Sequence, residues 1–214
     1  VVAVGDDTAD EMMSLLKPRI GALKVGAYNQ EGAEMGPVVT PDARDRIRGY
    51  IDRGVEEGAE LVVDGRDIKV AGYENGCFVG ATVFDKVEPG MSIYKDEIFG
   101  PVLSVVRAGS YDEAVSLVNV HEYGNGTAIF TRDGDVARDF SHRIQIGMVG
   151  VNVPIPVPLA FHSFGGWKRS LFGDHYIHGP EGVRFYTRMK TITARWPSGI
   201  RSGAVYNFKR GGEH

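Results

Sequence analysis

A carboxylate and an aromatic ring two positions apart, Glu97 and Phe99, are of residue types that suit ligand chemistry. A carboxylate accepts hydrogen bonds from neighbouring hydroxyls, and its charge strengthens those bonds. Such a group can hold the two hydroxyls of a ribose, and a ring at Phe99 can support a flat heteroaromatic beside that sugar. Taken alone, the two residues also fit a solvated loop acid followed by a core phenylalanine, and both interpretations stay open at this point.

The segment that carries this pair is predicted to be irregular and to end where a strand begins. It runs from Lys95 to Pro101 and precedes an apolar run from Val102 to Val106. Pro101 fixes φ and removes a backbone donor, which suits the entry to a strand and excludes a helix interior. Gly100 allows a backbone or a ligand to approach closely. We therefore expect the acid and the ring at a junction between a loop and a buried strand.

Composition excludes several classes of protein. The chain has 214 residues, enough for one large domain or two small ones. Its formal net charge of −4 offers no basic field to recruit nucleic acid. The single cysteine excludes an internal disulfide framework and a cysteine-based zinc site, and it suits a reducing, cytoplasmic compartment. No apolar run approaches ~18 residues, so we expect no transmembrane helix and no membrane partner.

The first residues, Val1–Gly5, read as a strand. Neither a methionine nor a charged region before an apolar core is present, so the segment does not resemble a signal peptide. We therefore expect the chain to begin inside a larger protein.

Cap signals and apolar spacing predict helices that alternate with strands. A Thr8-x-x-Glu11 capping box predicts the first helix, and Pro18 is predicted to end it. Further helices are predicted from Thr40 with Pro41 as cap and first residue and Gly58 as stop, from a Ser110-x-x-Glu113 capping box, and from Asp133 as a cap. Strands are predicted at Leu61–Val63, Phe78–Val79, Thr82–Phe84, Leu103–Val106, Thr127–Phe130 and Met148–Val151. This alternation predicts an α/β fold with a mainly parallel sheet flanked by helices.

The sequence changes character after Asn152. Prolines at 154, 156 and 158 exclude regular structure, and residues 162–168 form a glycine-hinged turn rich in rings. A closing helix or strand is predicted at 181–190, with a strand at 191–194. The tail at 197–214 is predicted to be poorly ordered.

Other chemistries lack their motifs. Neither G-x-G-x-x-G nor G-x-x-x-x-G-K-[ST] is present, so no glycine-based cradle for a pyrophosphate is expected. His175 and His178 beside Asp174 could be drawn as metal ligands, but without a third ligand in register we expect solvated imidazoles and no metal site. Cys77 follows an Asn-Gly turn with no basic residue close in sequence to activate its thiol. We expect Cys77 to be a small buried residue and not a nucleophile.

Several segments together resemble the aldehyde dehydrogenase superfamily, in the order and spacing of its second half. They are Lys95–Val102, Met35–Val38, Gly150–Asn152 and Phe164–Lys168. The resemblance extends to about Trp196, and its most specific parts are Glu-x-Phe-Gly-Pro and Phe-Gly-Gly-x-Lys. Two stretches, 152–168 and 182–193, resemble the CoA-acylating methylmalonate-semialdehyde branch of the family.

The resemblance implies an organisation and a set of site residues. It implies a catalytic α/β domain at 1–182, an oligomerisation strand region at 183–196 and a tail at 197–214. Within the oligomerisation strand region, 183–194 would reach a neighbouring subunit of a homotetramer or dimer. NAD is the implied cofactor, with Glu97 on the nicotinamide ribose and Phe99 beside the nicotinamide. Phe164 would lie near the substrate channel.

The resemblance also implies a reaction on a small semialdehyde. In this branch a thiolate attacks the aldehyde, hydride passes to NAD, and the acyl group passes to coenzyme A with loss of CO₂. The family's nucleophilic cysteine lies just upstream of the equivalent of Val1, and its NAD-binding domain lies further upstream. We therefore expect the chain to contain no catalytic residue, to need the missing N-terminal part of the same protein, and to be inactive alone.

Two alternatives remain. One is a hydrolytic NAD-dependent aldehyde dehydrogenase that releases a free acid. The general-base position that would distinguish it also lies upstream. The other is a truncated relative that serves as a binding or structural subunit without catalysis.

Overall fold

The computed structural model describes residues 1–194 and 196 of the chain. Its helices, in chain order, are α1 (Asp6–Gly21), α2 (Pro41–Glu56), α3 (Ser92–Lys95), α4 (Tyr111–Val120), α5 (Gly134–Arg143) and α6 (Pro180–Tyr186). Its strands are β1 (Val2–Val4), β2 (Glu60–Val63), β3 (Thr82–Asp85), β4 (Val102–Ser104), β5 (Val106–Ala108), β6 (Tyr123–Gly124), β7 (Gly126–Ile129), β8 (Met148–Val151) and β9 (Trp167–Lys168).

Pairing between the strands is mixed but mainly parallel. The pairs β1–β5, β3–β4 and β7–β8 are parallel, whereas β2–β3 and β6–β9 are antiparallel. Helices connect the parallel partners, as parallel pairing requires a crossover. The predicted α/β fold is confirmed.

The strand predicted at Leu103–Val106 proves to be two strands. Val105 separates β4 from β5 and is fully buried, and its N–H donates to the Phe84 carbonyl at 2.9 Å. On one side of Val105 the chain pairs with β3, and on the other side it pairs with β1. This run, which is apolar except for Ser104, therefore contains a change of pairing partner that the sequence pattern does not show.

Helix α1 corrects two predictions. It begins at Asp6 after Gly5, so Thr8 lies inside the first turn and does not cap it. The Gly5 N–H donates to the Ala108 carbonyl at 2.9 Å, which ties the helix start to the end of β5. The prediction that Pro18 ends the helix is also wrong, because α1 continues to Gly21. Proline removes one backbone donor, but the Pro18 carbonyl still accepts a hydrogen bond from the Ala22 N–H at 3.1 Å.

The other predicted caps are confirmed. The side chains of Thr40, Ser110 and Asp133 each accept a backbone N–H from the first turn of their helix. The second half of the Ser110 box differs from the prediction, because the Glu113 carboxylate accepts from the Gly109 N–H at 2.8 Å. The predicted stop at Gly58 is also confirmed, since α2 ends two residues before it.

The main core lies between α2 and the β2–β3–β4 sheet. Ile47 and Ile51 of α2 and Phe84 of β3 are fully buried in it. The predicted strand at Phe78–Val79 is absent from the described residues, although both side chains are buried at 5% and 1% exposure. A smaller core around Phe140 lies between α4 and α5.

The segment after Asn152 has little regular structure. Residues 152–166 contain no helix or strand, as the prolines predicted, and α6 provides the predicted closing helix. The strand predicted at 191–194 is absent, since residues 187–194 have no strand structure. A strand needs a partner for its backbone hydrogen bonds, and among the described residues none pairs with this segment. The predicted tail at 197–214 lies outside the described residues. Among those described, no helix is long and apolar enough to cross a membrane.

Candidate active site

The loop between α3 and β4 presents the predicted pair to solvent. Glu97 is exposed and the Phe99 ring is 78% exposed, whereas Ile98 between them is buried at 8%. Phe99 has a φ of 54°, a conformation that is strained for a residue with a large side chain. Strain of this kind persists only where the surrounding structure enforces it, and it concentrates at ligand sites.

A cavity of about 360 Å³ lies beside this loop. Glu97 and Phe99 both line it, together with Leu103 and Ser104 of the neighbouring strand β4 and with Val1. The Val1 amine donates to the Ser104 carbonyl at 2.8 Å, so the start of β1 lies at the cavity wall. The acid, the ring and the start of β1 therefore meet at one place.

The donor and acceptor chemistry of this place suits a ribose joined to a flat ring. Glu97 offers two carboxylate oxygens to vicinal hydroxyls, and Phe99 offers an exposed aromatic face or edge beside them. The second interpretation of Phe99, a core phenylalanine, is wrong. The exposed ring is available to pack against a ligand that enters the cavity.

Side chains of helix α2 contact the loop that carries Glu97 and Phe99. The Arg46 Nη1 donates to the Ile98 carbonyl at 2.7 Å, and the Tyr50 hydroxyl donates to the Asp96 carboxylate at 3.1 Å. A Cβ at Gly100 would lie 2.6 Å from Ile47 Cδ1, so Gly100 admits the side chain of Ile47. The close approach predicted for this glycine is thus made by the protein's own core.

Phe164 lies in another part of the chain. It is half-buried and stacks on the His178 imidazole, with ring centroids 4.5 Å apart and planes at 6°. Among the described residues, the lining of the cavity beside Glu97 does not include Phe164. The structure therefore does not bring all three predicted site residues together at that cavity.

The glycines of the Phe-Gly-Gly turn serve close packing. A Cβ at Gly147, just before β8, would lie 2.0 Å from the Gly165 carbonyl oxygen. A Cβ at Gly165 would lie 2.5 Å from the Tyr176 ring. The prediction of a glycine-hinged turn is therefore refined, because the glycines allow the backbone to lie against its neighbours.

Lys168, the last residue of the Phe-Gly-Gly-x-Lys motif, has a structural role that was not predicted from the sequence. Its ammonium donates to the carbonyls of Asn119 at 2.8 Å and His121 at 3.1 Å, at the carboxyl end of α4. A cation there satisfies carbonyls that the helix leaves free and complements its dipole. Burial lowers the pKa of this ammonium. The lysine of the Phe-Gly-Gly-x-Lys motif thus connects the glycine turn to the end of α4. The motif was the only feature of the sequence that pointed to this lysine.

Asn152 has a similar structural role. It follows β8 at a φ of 57°, and its side-chain oxygen accepts from the Thr131 N–H at 3.0 Å while its amide donates to the Thr131 carbonyl at 3.1 Å. These bonds join the ends of β7 and β8 at the wall of a second cavity, of about 410 Å³. Both hydrogen-bonding ends of the amide are used by the backbone.

Two further predictions have different outcomes. His175 is exposed, as expected, and its Nδ1 lies 2.8 Å from the Glu181 carboxylate. His178 differs from the expectation, because it is half-buried and stacks on Phe164. Among the described residues, no group of three or more His, Cys, Asp or Glu side chains could hold a metal ion.

Cys77 is half-buried, so the expectation of a buried thiol is corrected. Its carbonyl accepts from the Val38 N–H at 2.8 Å, which fixes the backbone while leaving the thiol partly accessible.

Comparison with known proteins gives the chain a family. A model described as the aldehyde dehydrogenase family matches residues 1–192. A malonate-semialdehyde dehydrogenase of Pseudomonas aeruginosa is 63% identical over 196 residues, which cover 92% of this chain and 39% of that protein. The mitochondrial methylmalonate-semialdehyde/malonate-semialdehyde dehydrogenase [acylating] of Bos taurus is 50% identical over 195 residues, which cover 91% of this chain and 36% of that protein.

A solved structure agrees with these matches. The crystal structure described as a methylmalonate-semialdehyde dehydrogenase from Sinorhizobium meliloti 1021, complexed with NAD, superposes with a TM-score of 0.89 at 64% identity. The superposition covers 94% of this chain and 41% of that one. The parallel strand pairs and their connecting helices define an α/β protein. Its candidate site is a cavity lined by an exposed carboxylate and an exposed aromatic ring. The chain belongs to the aldehyde dehydrogenase family, and it spans roughly two fifths of the length of these relatives.

Proposed function

We propose that the intact protein containing this chain is an NAD-dependent, CoA-acylating dehydrogenase of malonate or methylmalonate semialdehyde. The observation that carries the proposal is the placement of Glu97 and Phe99, both exposed and both lining one cavity, in a member of the aldehyde dehydrogenase family. The relatives named as malonate- and methylmalonate-semialdehyde dehydrogenases support the substrate class, and the acylating enzyme of Bos taurus supports coenzyme A as acyl acceptor.

In this proposal the chain's own residues position the cofactor. The Glu97 carboxylate accepts hydrogen bonds from the ribose hydroxyls, and the Phe99 ring packs beside the nicotinamide. NAD, when bound there, would supply the hydride acceptor once the thiolate has added to the aldehyde. Neither residue transfers a proton, so their contribution is orientation of the reacting groups. Phe164 is proposed to lie near the substrate channel, with its ring orientation fixed by the stack on His178.

The remaining parts of the proposal concern the intact protein. We propose that its reactive thiol precedes Val1, that Cys77 does not serve as the nucleophile, and that the isolated chain has no dehydrogenase activity. The segment 183–196 is proposed to contribute to a homotetramer or dimer. Several side chains in this segment and in α6 support contact with another surface because they are apolar and exposed, namely Val183, Tyr186, Met189, Ile192 and Trp196.

The test is NADH formation by the intact protein with malonate semialdehyde, with and without coenzyme A. The expected result is NADH together with acyl-CoA only when coenzyme A is present. NADH with free acid in its absence would identify the hydrolytic alternative. No NADH in either reaction, from folded protein, would favour the alternative of a non-catalytic subunit.

A further inference from the structure

We propose that Arg46 is a positioning residue that holds the Glu97–Phe99 loop in the conformation required for cofactor binding. The inference rests on the proposed function and deepens it, because it identifies what keeps the acid and the ring in place. Arg46 lies on α2 and bonds the backbone carbonyl of Ile98, the residue between the pair. It therefore acts on Glu97 and Phe99 without being either of them.

The length and the geometry of the hydrogen bond from Arg46 to the Ile98 carbonyl suit a contact that restrains the loop. The Arg46 Nη1 lies 2.7 Å from the Ile98 oxygen, a short distance for a charge-assisted hydrogen bond. Arg46 and Ile98 are separated by 52 positions in the sequence, so the bond ties the loop to a different element. The guanidinium is a planar group with fixed donor directions, which restrains the orientation of the carbonyl as well as its position.

The backbone at this point needs such a restraint. Phe99 follows the bonded carbonyl directly and has a φ of 54°, which a phenylalanine does not adopt without support. Rotation of the Ile98–Phe99 peptide would relieve the strain, but it would also turn the Ile98 carbonyl away from Arg46. The hydrogen bond therefore opposes the motion that would withdraw the Phe99 ring from the cavity wall.

Other residues of α2 support the same loop. Tyr50 lies one helical turn after Arg46, on the same face, and its hydroxyl bonds Asp96 at 3.1 Å. Ile47 packs where Gly100 leaves room. Asp96 and Gly100 flank the pair on either side, so these contacts fix the ends of the loop while Arg46 fixes its middle. Arg46 is thus the α2 side chain that bonds the backbone between the acid and the ring.

Loss of the Arg46 bond has a specific kinetic consequence. If the loop occupies the competent conformation only a tenth of the time, the apparent affinity for the cofactor falls about tenfold. Saturating cofactor still selects that conformation, so kcat changes little. We expect Arg46→Met to raise KM for NAD about tenfold while leaving kcat and KM for the aldehyde close to those of the native protein.

The experiment uses the intact protein with three variants. Arg46→Met removes the donor, and Arg46→Lys retains one cation that can reach a single carbonyl. Arg44→Met is the matched control, because Arg44 lies on the same helix and bonds the adjacent Asp45 at 2.8 Å. KM and kcat are measured for NAD, and loop mobility is measured separately as the rate of cleavage after Glu97 by a glutamate-specific protease. None of the variants alters a site for that protease.

The proposal predicts a combination of results. Cleavage after Glu97 should be at least about tenfold faster in Arg46→Met, because the open fraction of the loop rises from a small value to most of the population, and Arg46→Lys should restore part of both effects. Arg44→Met should match the native protein. Equal cleavage rates in native protein and Arg46→Met would overturn the proposal, as would faster cleavage with an unchanged KM for NAD. If the native protein forms no NADH, the proposed function fails, and the cleavage rates still decide whether Arg46 holds the loop.

Discussion

The Arg107 guanidinium on β5 and the Asp85 carboxylate on β3 form a bidentate ion pair. Nε donates to Oδ1 at 3.2 Å, and Nη2 donates to Oδ2 at 2.6 Å. Asp85 is only 3% exposed. The same guanidinium reaches Asp6 and Asp10 on α1, at 3.2 and 2.7 Å. One arginine therefore joins two strands of different sheets and the helix that packs beside them.

Removing Arg107 should destabilise the protein strongly. Arg107→Met leaves the buried Asp85 carboxylate without its cation, and we expect a loss of about 3 kcal/mol in the free energy of unfolding. The measurement is urea denaturation of the intact protein. Arg138→Met is the control, because Arg138 pairs with Asp135 at side-chain exposures of 71% and 93%. The control should change stability by less than about 0.5 kcal/mol, and equal losses in the two variants would contradict the prediction.

The cost of Arg107→Met should depend on pH. Burial acts to raise the pKa of the Asp85 carboxyl, but hydrogen bonds from Arg107 and from the Lys86 N–H outweigh it, so this pKa lies below its ordinary value. In the native protein the contribution of Asp85 is present above the unfolded pKa of about 3.9 and is lost as pH falls through the folded pKa.

In Arg107→Met the sign reverses. Without the guanidinium, burial raises the pKa of Asp85 above its unfolded value, so the variant loses stability as pH rises through that pKa. The stability difference between native protein and variant should therefore be largest near pH 7 and should narrow toward pH 4.5. Urea midpoints measured across this range test it. With Asp85→Asn in both backgrounds the narrowing should disappear, and a constant difference in the original pair would refute the prediction.

Glu97→Ala should weaken use of the cofactor. The exposed carboxylate is proposed to accept bonds from ribose hydroxyls, and charged hydrogen bonds of this kind contribute about 1.5–3 kcal/mol each. We expect KM for NAD to rise at least about tenfold, since 1.4 kcal/mol corresponds to a factor of ten. Steady-state kinetics of the intact protein provide the measurement. Glu88→Ala, in the exposed turn before α3, is the control. Unchanged kinetics in Glu97→Ala would remove this residue from the site.

A methyl group at Gly147 should separate the Phe-Gly-Gly turn from the strand beside it. The added Cβ would lie 2.0 Å from the Gly165 oxygen, and backbone atoms cannot move aside as a flexible side chain can. We expect Gly147→Ala to cost about 1–3 kcal/mol or more. Gly134→Ala is the control, because no atom lies within 4 Å of its added Cβ at the start of α5. Thermal unfolding should show Gly134→Ala unchanged or slightly more stable.

Lys168→Met should loosen the end of α4. The substitution keeps the aliphatic stem but removes the ammonium from the carbonyls of Asn119 and His121, and we expect a loss of about 2 kcal/mol. Lys86→Met is a close control, since Lys86 has the same φ of 53° but its ammonium pairs with the exposed Glu60 at 2.8 Å. Chemical denaturation should place the control within about 0.5 kcal/mol of the native protein. A similar loss in both variants would assign the effect to the backbone.

Local chemistry made part of the structure predictable. The caps at Thr40, Ser110 and Asp133 could be predicted because a cap bonds an N–H two or three positions away, inside the same short stretch of sequence. The irregular segment after Asn152 followed from its prolines in the same way. The exposed position of Glu97 beside a strand entry was likewise consistent with Gly100 and Pro101.

Long-range packing decided the rest. The sequence by itself determined the alternation of helices and strands, the family motifs and the pair Glu97 and Phe99. Only the tertiary structure showed the change of partner at Val105, the continuation of α1 past Pro18, and the hydrogen bond from Arg46 to the Ile98 carbonyl. These features depend on contacts between residues far apart in the sequence. No local pattern encodes such contacts, because their free energy arises only when the elements pack together.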